Sequence, residues 1–357
     1  MTLSHDFWRD RRVLLTGHTG FKGAWTSLVV RALGAKICGV ALAPEAGPSI
    51  YELARLASQI ESHLLDIRDG ARLKNVVSAF KPEIIIHMAA QSLVRASYAS
   101  PVETYQTNVM GTINVLEAAR STPSVRSIVV VSSDKCYLNR EWLWPYREDE
   151  ALGGHDPYSS SKACTEIVAA SWRQSFFSDG GAAIASARAG NVIGGGDWAA
   201  DRIVPDCIRA FTTGVPVALR NPAAVRPWQH VLEPVTGYLL LAERLSQEPG
   251  QFAEAWNFGP NEADTKTVAH VVKTLIRHWG EGADWTAAPG THPHEAHALR
   301  IDSTKARVKL GWRPQLPLDD AIAWTAEWYR GWSSGADVED LCIKQIDKYL
   351  SLAAMSK

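Results

Sequence analysis

Tyr158 and Lys162 stand four residues apart, and Ser133-Asp134-Lys135 lies about 25 residues upstream of them. On a helix, positions i and i+4 share a face, so the Tyr hydroxyl and the Lys ammonium meet. A tyrosine is a poor base at neutral pH, but a nearby ammonium stabilises its phenolate. With Ser133 to hydrogen-bond a substrate hydroxyl, the three make a site for hydride transfer. Asp134 adds an acid beside that site, and with it an oxidised substrate could lose water before the hydride returns. A carboxyl group must be protonated for that task, which burial favours. The competing role for Asp134 is an ordinary strand-end cap.

These residues need a cofactor and a frame. Thr16-Gly17-His18-Thr19-Gly20-Phe21-Lys22-Gly23 follows a short apolar run, Val13 to Thr16, and opens a helical pattern, Ala24 to Leu33, closed by Gly34. Gly17 permits the tight turn, Gly20 lets the backbone approach a pyrophosphate, and Gly23 lets helix and strand pack. The helix N-terminus then faces the phosphates. Three glycines can also be a plain structural turn; the strand–turn–helix context argues for the dinucleotide. Further runs predict strands at Ile37 to Leu42, His63 to Asp66, Glu83 to His87, Ser127 to Ser132 and Ala183 to Arg188, with helices at Pro101 to Arg120 and Tyr158 to Ser178. This alternation predicts an α/β fold, a Rossmann-type doubly wound parallel sheet. After about Asn191 the texture changes to glycines, prolines and tryptophans, which predicts a smaller, mixed C-terminal substrate domain. The expected division is 1–190, joined by about 229–256, against 191–228 and 257–357.

Asp66 and Ile67 follow the third strand, where a carboxylate can reach an adenine amine. Ala89, Ala90 and Gln91 end the fourth strand with small residues against which a dinucleotide can lie, and Asn108 and Lys22 complete the expected cofactor set. The second strand ends Val40-Ala41-Leu42-Ala43, without an acid for the ribose hydroxyls and without an adjacent Arg for a 2′-phosphate. NAD is favoured over NADP on that basis.

The chain has 357 residues, a formal net charge of −1 and 46 % hydrophobic residues, ample for a core. Nothing in this balance points to nucleic acid. No apolar run reaches membrane-spanning length, and Met1 to Asp10 does not read as a signal peptide. Five scattered cysteines without ligand spacing predict free thiols in a reducing cytoplasm and no metal. His292, His294 and His297 cluster in a loop-like stretch without a matching Cys, which argues against a metal there too.

Over essentially its full length the chain resembles the extended short-chain dehydrogenase/reductases. Within them it is similar to the nucleotide-sugar 4,6-dehydratases, most closely the CDP-glucose branch. The resemblance rests on Ser133-Asp134-Lys135-Cys136-Tyr137, Arg188-Ala189-Gly190-Asn191-Val192-Ile193-Gly194-Gly195-Gly196-Asp197-Trp198, Arg202-Ile203-Val204-Pro205-Asp206 and Arg226-Pro227-Trp228-Gln229-His230-Val231. It implies a tightly bound, recycled NAD that oxidises glucose C4, loss of water across C5 and C6, and hydride return to C6. The product would be CDP-4-keto-6-deoxyglucose, a deoxysugar precursor such as lipopolysaccharide O-antigen requires.

The same resemblance gives Tyr158 the C4 hydroxyl proton, Lys162 and Ser133 its support, and Asp134 the departing C6 hydroxyl. Lys135 replaces the Glu that removes the C5 proton in many relatives. It would act as a neutral amine base or as a cation beside the enolate, unless it merely forms a salt bridge with Asp134. Asn191, Arg226 and Arg202 would hold the substrate phosphates. Gln91, Ser92 and Arg95 would lie near the hexose or form a solvated loop. The segment with His297 would close over the nucleotide. A homodimer or dimer of dimers is implied through the helices at Pro101 to Arg120 and Tyr158 to Ser178. The alternatives are a 4-epimerase or reductase, against which Asp134 argues, and a non-catalytic cofactor sensor, against which the intact Tyr–Lys pair argues.

Overall fold

The computed structural model describes residues 3–177, 182–288 and 298–355. Seven parallel strands form one sheet: β1 (Arg12–Thr16), β2 (Lys36–Ala41), β3 (Glu61–Leu64), β4 (Ile84–His87), β5 (Ser127–Val131), β6 (Ala183–Ala189) and β7 (Ala255–Phe258). Their spatial order is β7-β6-β5-β4-β1-β2-β3. The chain builds outward from β1 in one direction, returns, and builds from β4 in the other. The two directions part between β1 and β4, where a doubly wound sheet opens a crevice beyond its strand ends.

Alternation along the strands explains the two covered faces. Val13 and Leu15 of β1, with Val129 and Val131 of β5, enter one apolar core. Leu14, Ile128 and Val130 enter the other. Helices α1 (Phe21–Ala32), α5 (Leu232–Gln247), α6 (Leu318–Ser333) and α7 (Val338–Met355) belong to the first side; α2 (Gly70–Phe80) and α3 (Gly111–Arg120) cover the second. Strands buried on both faces read as near-continuous apolar runs, which is why β4 and β5 were visible in the sequence. The glycine-rich stretch 194–196 and the tryptophans beyond it pack as one body with the first core: a Cβ at Gly195 would meet the Trp328 ring at 2.0 Å.

Three elements differ from expectation, the first being β7, a four-residue edge strand interrupted by Asn257 where no strand was expected. The third strand is Glu61–Leu64, two residues earlier than His63 to Asp66. It is one of the two edge strands, and Glu61, Ser62 and His63 carry polar partners rather than an apolar signal. The stretch expected as one helix over Pro101 to Arg120 is a helix (Pro101–Tyr105), a π turn (Gln106–Met110) and α3. The π turn holds Asn108, whose Nδ2 donates to Gln91 O at 3.0 Å and Ser161 Oγ at 2.8 Å. Such turns recur beside functional sites. Beyond the sheet, residues 192–230 and 265–287 contribute short strand pairs, Val192–Ile193 with Gln229–His230, Val225–Pro227 with Thr265–Thr267, and Val217–Leu219 with Trp285–Ala287. Among the described residues no helix is long and apolar enough to cross a membrane. All five cysteines are unpaired.

Candidate active site

The turn after β1 is shaped by its glycines. Gly17 has φ +81°, and a Cβ there would meet Ala89 N at 2.8 Å. A Cβ on Gly23 would come within 2.0 Å of Gly17 O. Gly20, exposed, has only Gly17 O nearby at 3.5 Å, so the outer face of the turn is open. Gly20 begins α1 without a side-chain cap, leaving first-turn N–H groups for a ligand. This cradle fits a dinucleotide pyrophosphate. Thr16 Oγ1 accepts from Met88 N and Ala89 N at 3.0 and 3.1 Å, holding the end of β4 beside the turn. The other expected cofactor residues are placed as follows. Thr19 spends its hydroxyl on Leu42 O at 2.9 Å. Asp66 pairs with Arg68 at 2.6 Å, which keeps its carboxyl below the usual range. Ile67 is buried under Gly111. Phe21 and Lys22 line the main cleft. His18 lies against Gly39 and hydrogen-bonds Ser62 at 2.7 Å; burial lowers its pKa to about 4.

The reacting groups converge at the ends of β5 and of α4 (Pro157–Phe176). Pro157 at the first turn and Asp156, which accepts from Ser159 N at 2.9 Å, start α4 one residue before Tyr158. Tyr158 and Lys162 then face β5. Lys162 Nζ donates to Val131 O at 3.2 Å. Burial, and after it Lys22, lowers its pKa to about 8. Burial drives the Tyr158 phenol up to about 12, while a hydrogen bond with Ser133 and the charge of Arg202 pull it down. Ser133 caps the turn Asp134–Cys136, accepting from Lys135 N at 3.2 Å and donating to Asp134 Oδ1 at 3.1 Å.

The cap is therefore Ser133 and not Asp134. Asp134 is 3 % exposed, and its Oδ2 is buried without a hydrogen-bond partner among the described residues. Burial raises its pKa, against Lys135, Ser133, Arg226 and Lys22. A buried carboxyl with one unsatisfied oxygen favours the protonated form. Lys135 is half-buried, lines the same cleft and, among the described residues, forms no ion pair with Asp134 within 4.0 Å.

The cleft, about 310 Å³, runs from Tyr158 past Asn191 to Arg226 and Val268. Arg226 is buried and donates to Val225 O at 2.9 Å. Of the expected substrate residues, Arg95 and Arg202 line the cleft and Gln91 stands apart from it. Gln91 does not line the cleft: its Nε2 donates to Thr104 Oγ1 at 2.9 Å and its Oε1 accepts from Leu93 N at 2.5 Å, so it shapes the loop that presents Ser92 and Arg95. Arg202 is already held, by Asp197 at 2.9 Å and Ser92 at 3.1 Å, and its charge acts on Tyr158 and Lys22 at the reaction end. Arg95 is paired with Asp201 at 2.8 Å. His297, with His292 and His294, lies outside the described residues.

The sequence reading missed Asp197, Asp201 and Arg220. Arg220 meets the same Asp201 oxygen as Arg95, at 2.9 Å. It missed too that Lys22 reaches the reaction centre, where burial and Arg202 bring its pKa to about 8. Asp197 stands inside the Arg188–Trp198 stretch and Asp201 directly before Arg202, and nothing in their spacing marks them as ion-pair partners.

A family model described as GDP-mannose 4,6 dehydratase matches residues 14–325. A CDP-glucose 4,6-dehydratase of Salmonella typhimurium is 48 % identical over 354 residues, 98 % of this chain and 99 % of that protein. Among solved structures, a dTDP-glucose 4,6-dehydratase from Streptomyces venezuelae with NAD and TYD bound superposes with a TM-score of 0.77 at 24 % identity, covering 92 % of this chain and 99 % of that one. A UDP-glucose 4-epimerase from Thermotoga maritima gives 0.78 at 23 %, covering 90 % and 99 %. These two likenesses establish the fold, and the family match with the 48 % relative establishes the lineage: the chain belongs to the GDP-mannose 4,6 dehydratase family of nucleotide-sugar dehydratases.

Proposed function

We propose that this chain is a hydro-lyase that converts CDP-D-glucose to CDP-4-keto-6-deoxy-D-glucose with NAD. The observation that carries the reading is Asp134, a buried carboxyl with an unsatisfied oxygen, one residue from Ser133 in the cleft that holds Tyr158. A 4-epimerase needs the Tyr–Lys pair and has no use for such an acid. NAD, when bound in the glycine cradle, supplies a hydride acceptor and later a donor, so net redox change is zero.

The residues divide the work. Tyr158 Oη takes the C4 hydroxyl proton, Ser133 Oγ orients that hydroxyl, and the Lys162 ammonium holds the phenolate. The 4-keto group acidifies C5–H. Lys135 is assigned to that step, as an amine that takes the proton or as a cation beside the enolate. Asp134 passes its proton to the C6 hydroxyl, which leaves as water. Asn191 and Arg226 are assigned to the substrate phosphates, with 191–228 and 257–357 as the nucleotide-holding part. The product suits deoxysugar biosynthesis of the O-antigen kind. Exposed Val102, Tyr105 and Met110, with Ile167 on α4, support a homodimer through these helices.

Mass spectrometry after incubation with CDP-, dTDP-, UDP- and GDP-hexoses, without added reductant, tests the reading. Loss of one water from CDP-glucose is expected. Inversion at C4 or plain oxidation would overturn it.

A further inference from the structure

Behind the reacting residues lies a charged group that the mechanism does not use. Glu166 is one turn beyond Lys162 on α4, and it is 3 % exposed. Its Oε2 accepts from Ser186 Oγ at 2.6 Å and from Arg188 Nη2 at 2.8 Å, both on β6. Its Oε1 accepts a short hydrogen bond from Ser132 Oγ, the residue before Ser133. Arg188 continues the chain of contacts, donating from Nη1 to Tyr137 Oη at 2.7 Å and Glu148 O at 3.1 Å. Tyr137 in turn donates to Asn257 Oδ1 on β7 at 2.7 Å. One carboxylate therefore ties α4, the end of β5 and β6 together directly beneath the reaction centre.

Such a group is costly to bury. A buried ion pair adds little net stability over apolar side chains of similar volume, whereas breaking one by removing a single partner is strongly destabilising. Packing alone does not call for it. We propose that Glu166 is a positioning residue: its carboxylate fixes the strand end bearing Ser133 and Asp134 against the helix bearing Tyr158 and Lys162. This inference rests on the reading of Tyr158 and Lys162 as the hydride-transfer pair.

The charges around Lys162 are few. Lys22 from α1 opposes its ammonium, and Glu166 and Cys136 favour it. Cys136 is driven up by burial and stays a neutral thiol. His87 from β4 is held neutral, at about 3. Glu166 stays ionised because Arg188 and its three hydrogen-bond donors outweigh burial, and Arg173 stands further along α4. Of the two groups that favour the Lys162 ammonium, Glu166 is thus the ionised one, although its ion pair is with Arg188. Without it, Lys162 would lose its proton at lower pH, and the phenolate its support.

The test is a titration of lysine side-chain signals by NMR in protein labelled at lysine Cε, with Lys162 assigned by the signal lost in Lys162→Met. In Glu166→Gln the Lys162 midpoint should fall by about one pH unit, and in Glu166→Asp it should stay near the wild-type value. The alkaline limb of kcat/KM for water loss from CDP-glucose should move down by the same amount in Glu166→Gln. An unmoved midpoint with only a lowered Tm would overturn the inference and leave Glu166 a structural group. Should Glu166→Gln fail to fold, Ser132→Ala, which releases the strand end from the carboxylate, carries the positioning test: kcat should fall with the Lys162 midpoint near the wild-type value, and an unchanged kcat would overturn the inference. Inactivity of the wild type on every nucleotide sugar would count against the proposed reaction, while the NMR midpoint would still decide the inference.

Discussion

On one wall of the cleft, Ser133, Asp134, Tyr158 and Lys162 stand on the end of a central strand and the first turns of a long helix, buried and braced from behind by Glu166. On the other wall, Arg95 and Arg220 share Asp201, and Arg202 leans on Asp197. The first wall shifts its own groups: burial raises Asp134 and Tyr158 and lowers Lys162 before any substrate arrives. The second presents guanidinium groups whose charge is already answered by carboxylates. Burial suits Asp134, which must carry a proton, whereas at Tyr158 and Lys162 it is opposed by Ser133 and Arg202 and by Glu166. If the proposed function holds, substrate oxygens would meet guanidinium groups on this wall that carboxylates already hold, and its substitutions should act on affinity more than on the chemical steps.

Substitutions can break this contrast. The largest effect belongs to Tyr158→Phe, which should lower kcat about 10³-fold with little change in KM, since a general base contributes about 10²–10⁴-fold. A comparable rise in KM would move Tyr158 to the binding wall. Asp134→Asn should slow water loss about 10²-fold while oxidation at C4 continues, so that 4-keto hexose and reduced cofactor accumulate and are seen by mass spectrometry and absorbance. Lys135→Met should give the same accumulation if the residue acts at C5, and unchanged turnover would remove it from the chemistry. On the opposite wall, Arg226→Met should raise KM for CDP-glucose about tenfold with kcat retained, because a charge-assisted phosphate contact is lost. A fall in kcat alone would erase the distinction between the walls.

A separate effect concerns stability rather than the contrast between the walls. His87 and His230 are lowered by burial to about 3, and His18 to about 4, from an ordinary value of 6.5. All three favour the neutral ring in the fold. Their contribution is therefore present above pH 6.5 and is lost as pH falls toward 4, by about 1.4 kcal/mol per pH unit for each. Tm should decline over that window, and His230→Gln should make the decline shallower. A Tm independent of pH between 6.5 and 4 would contradict the burial of these rings as neutral groups.

The chemical wall was legible in the sequence because its logic is local. Gly17, Gly20 and Gly23, the Tyr158–Lys162 spacing and the Ser133-Asp134 pair each fall within a single turn or strand end. The binding wall was less legible because its partners are distant in the chain. Gln91 reads as a loop amide facing a ligand until Thr104 is seen to claim it, and Arg202 reads as a clamp until Ser92 and Asp197 occupy its fork. Glu166 resembles any acid in the middle of a helix; only the fold brings Ser132, Ser186 and Arg188 to it. The sheet followed from its apolar strands except at its two edges, where β3 is displaced and polar and β7 was not expected.

The central claim is that one cleft oxidises C4, expels water and delivers the same hydride to C6. CDP-glucose carrying deuterium at C4, mixed with unlabelled substrate, tests it directly. The account predicts a 4-keto-6-deoxy product with deuterium in the C6 methyl group and no exchange of label between molecules. Deuterium lost to solvent, or retained at C4 in an epimerised sugar that has kept its water, would contradict it.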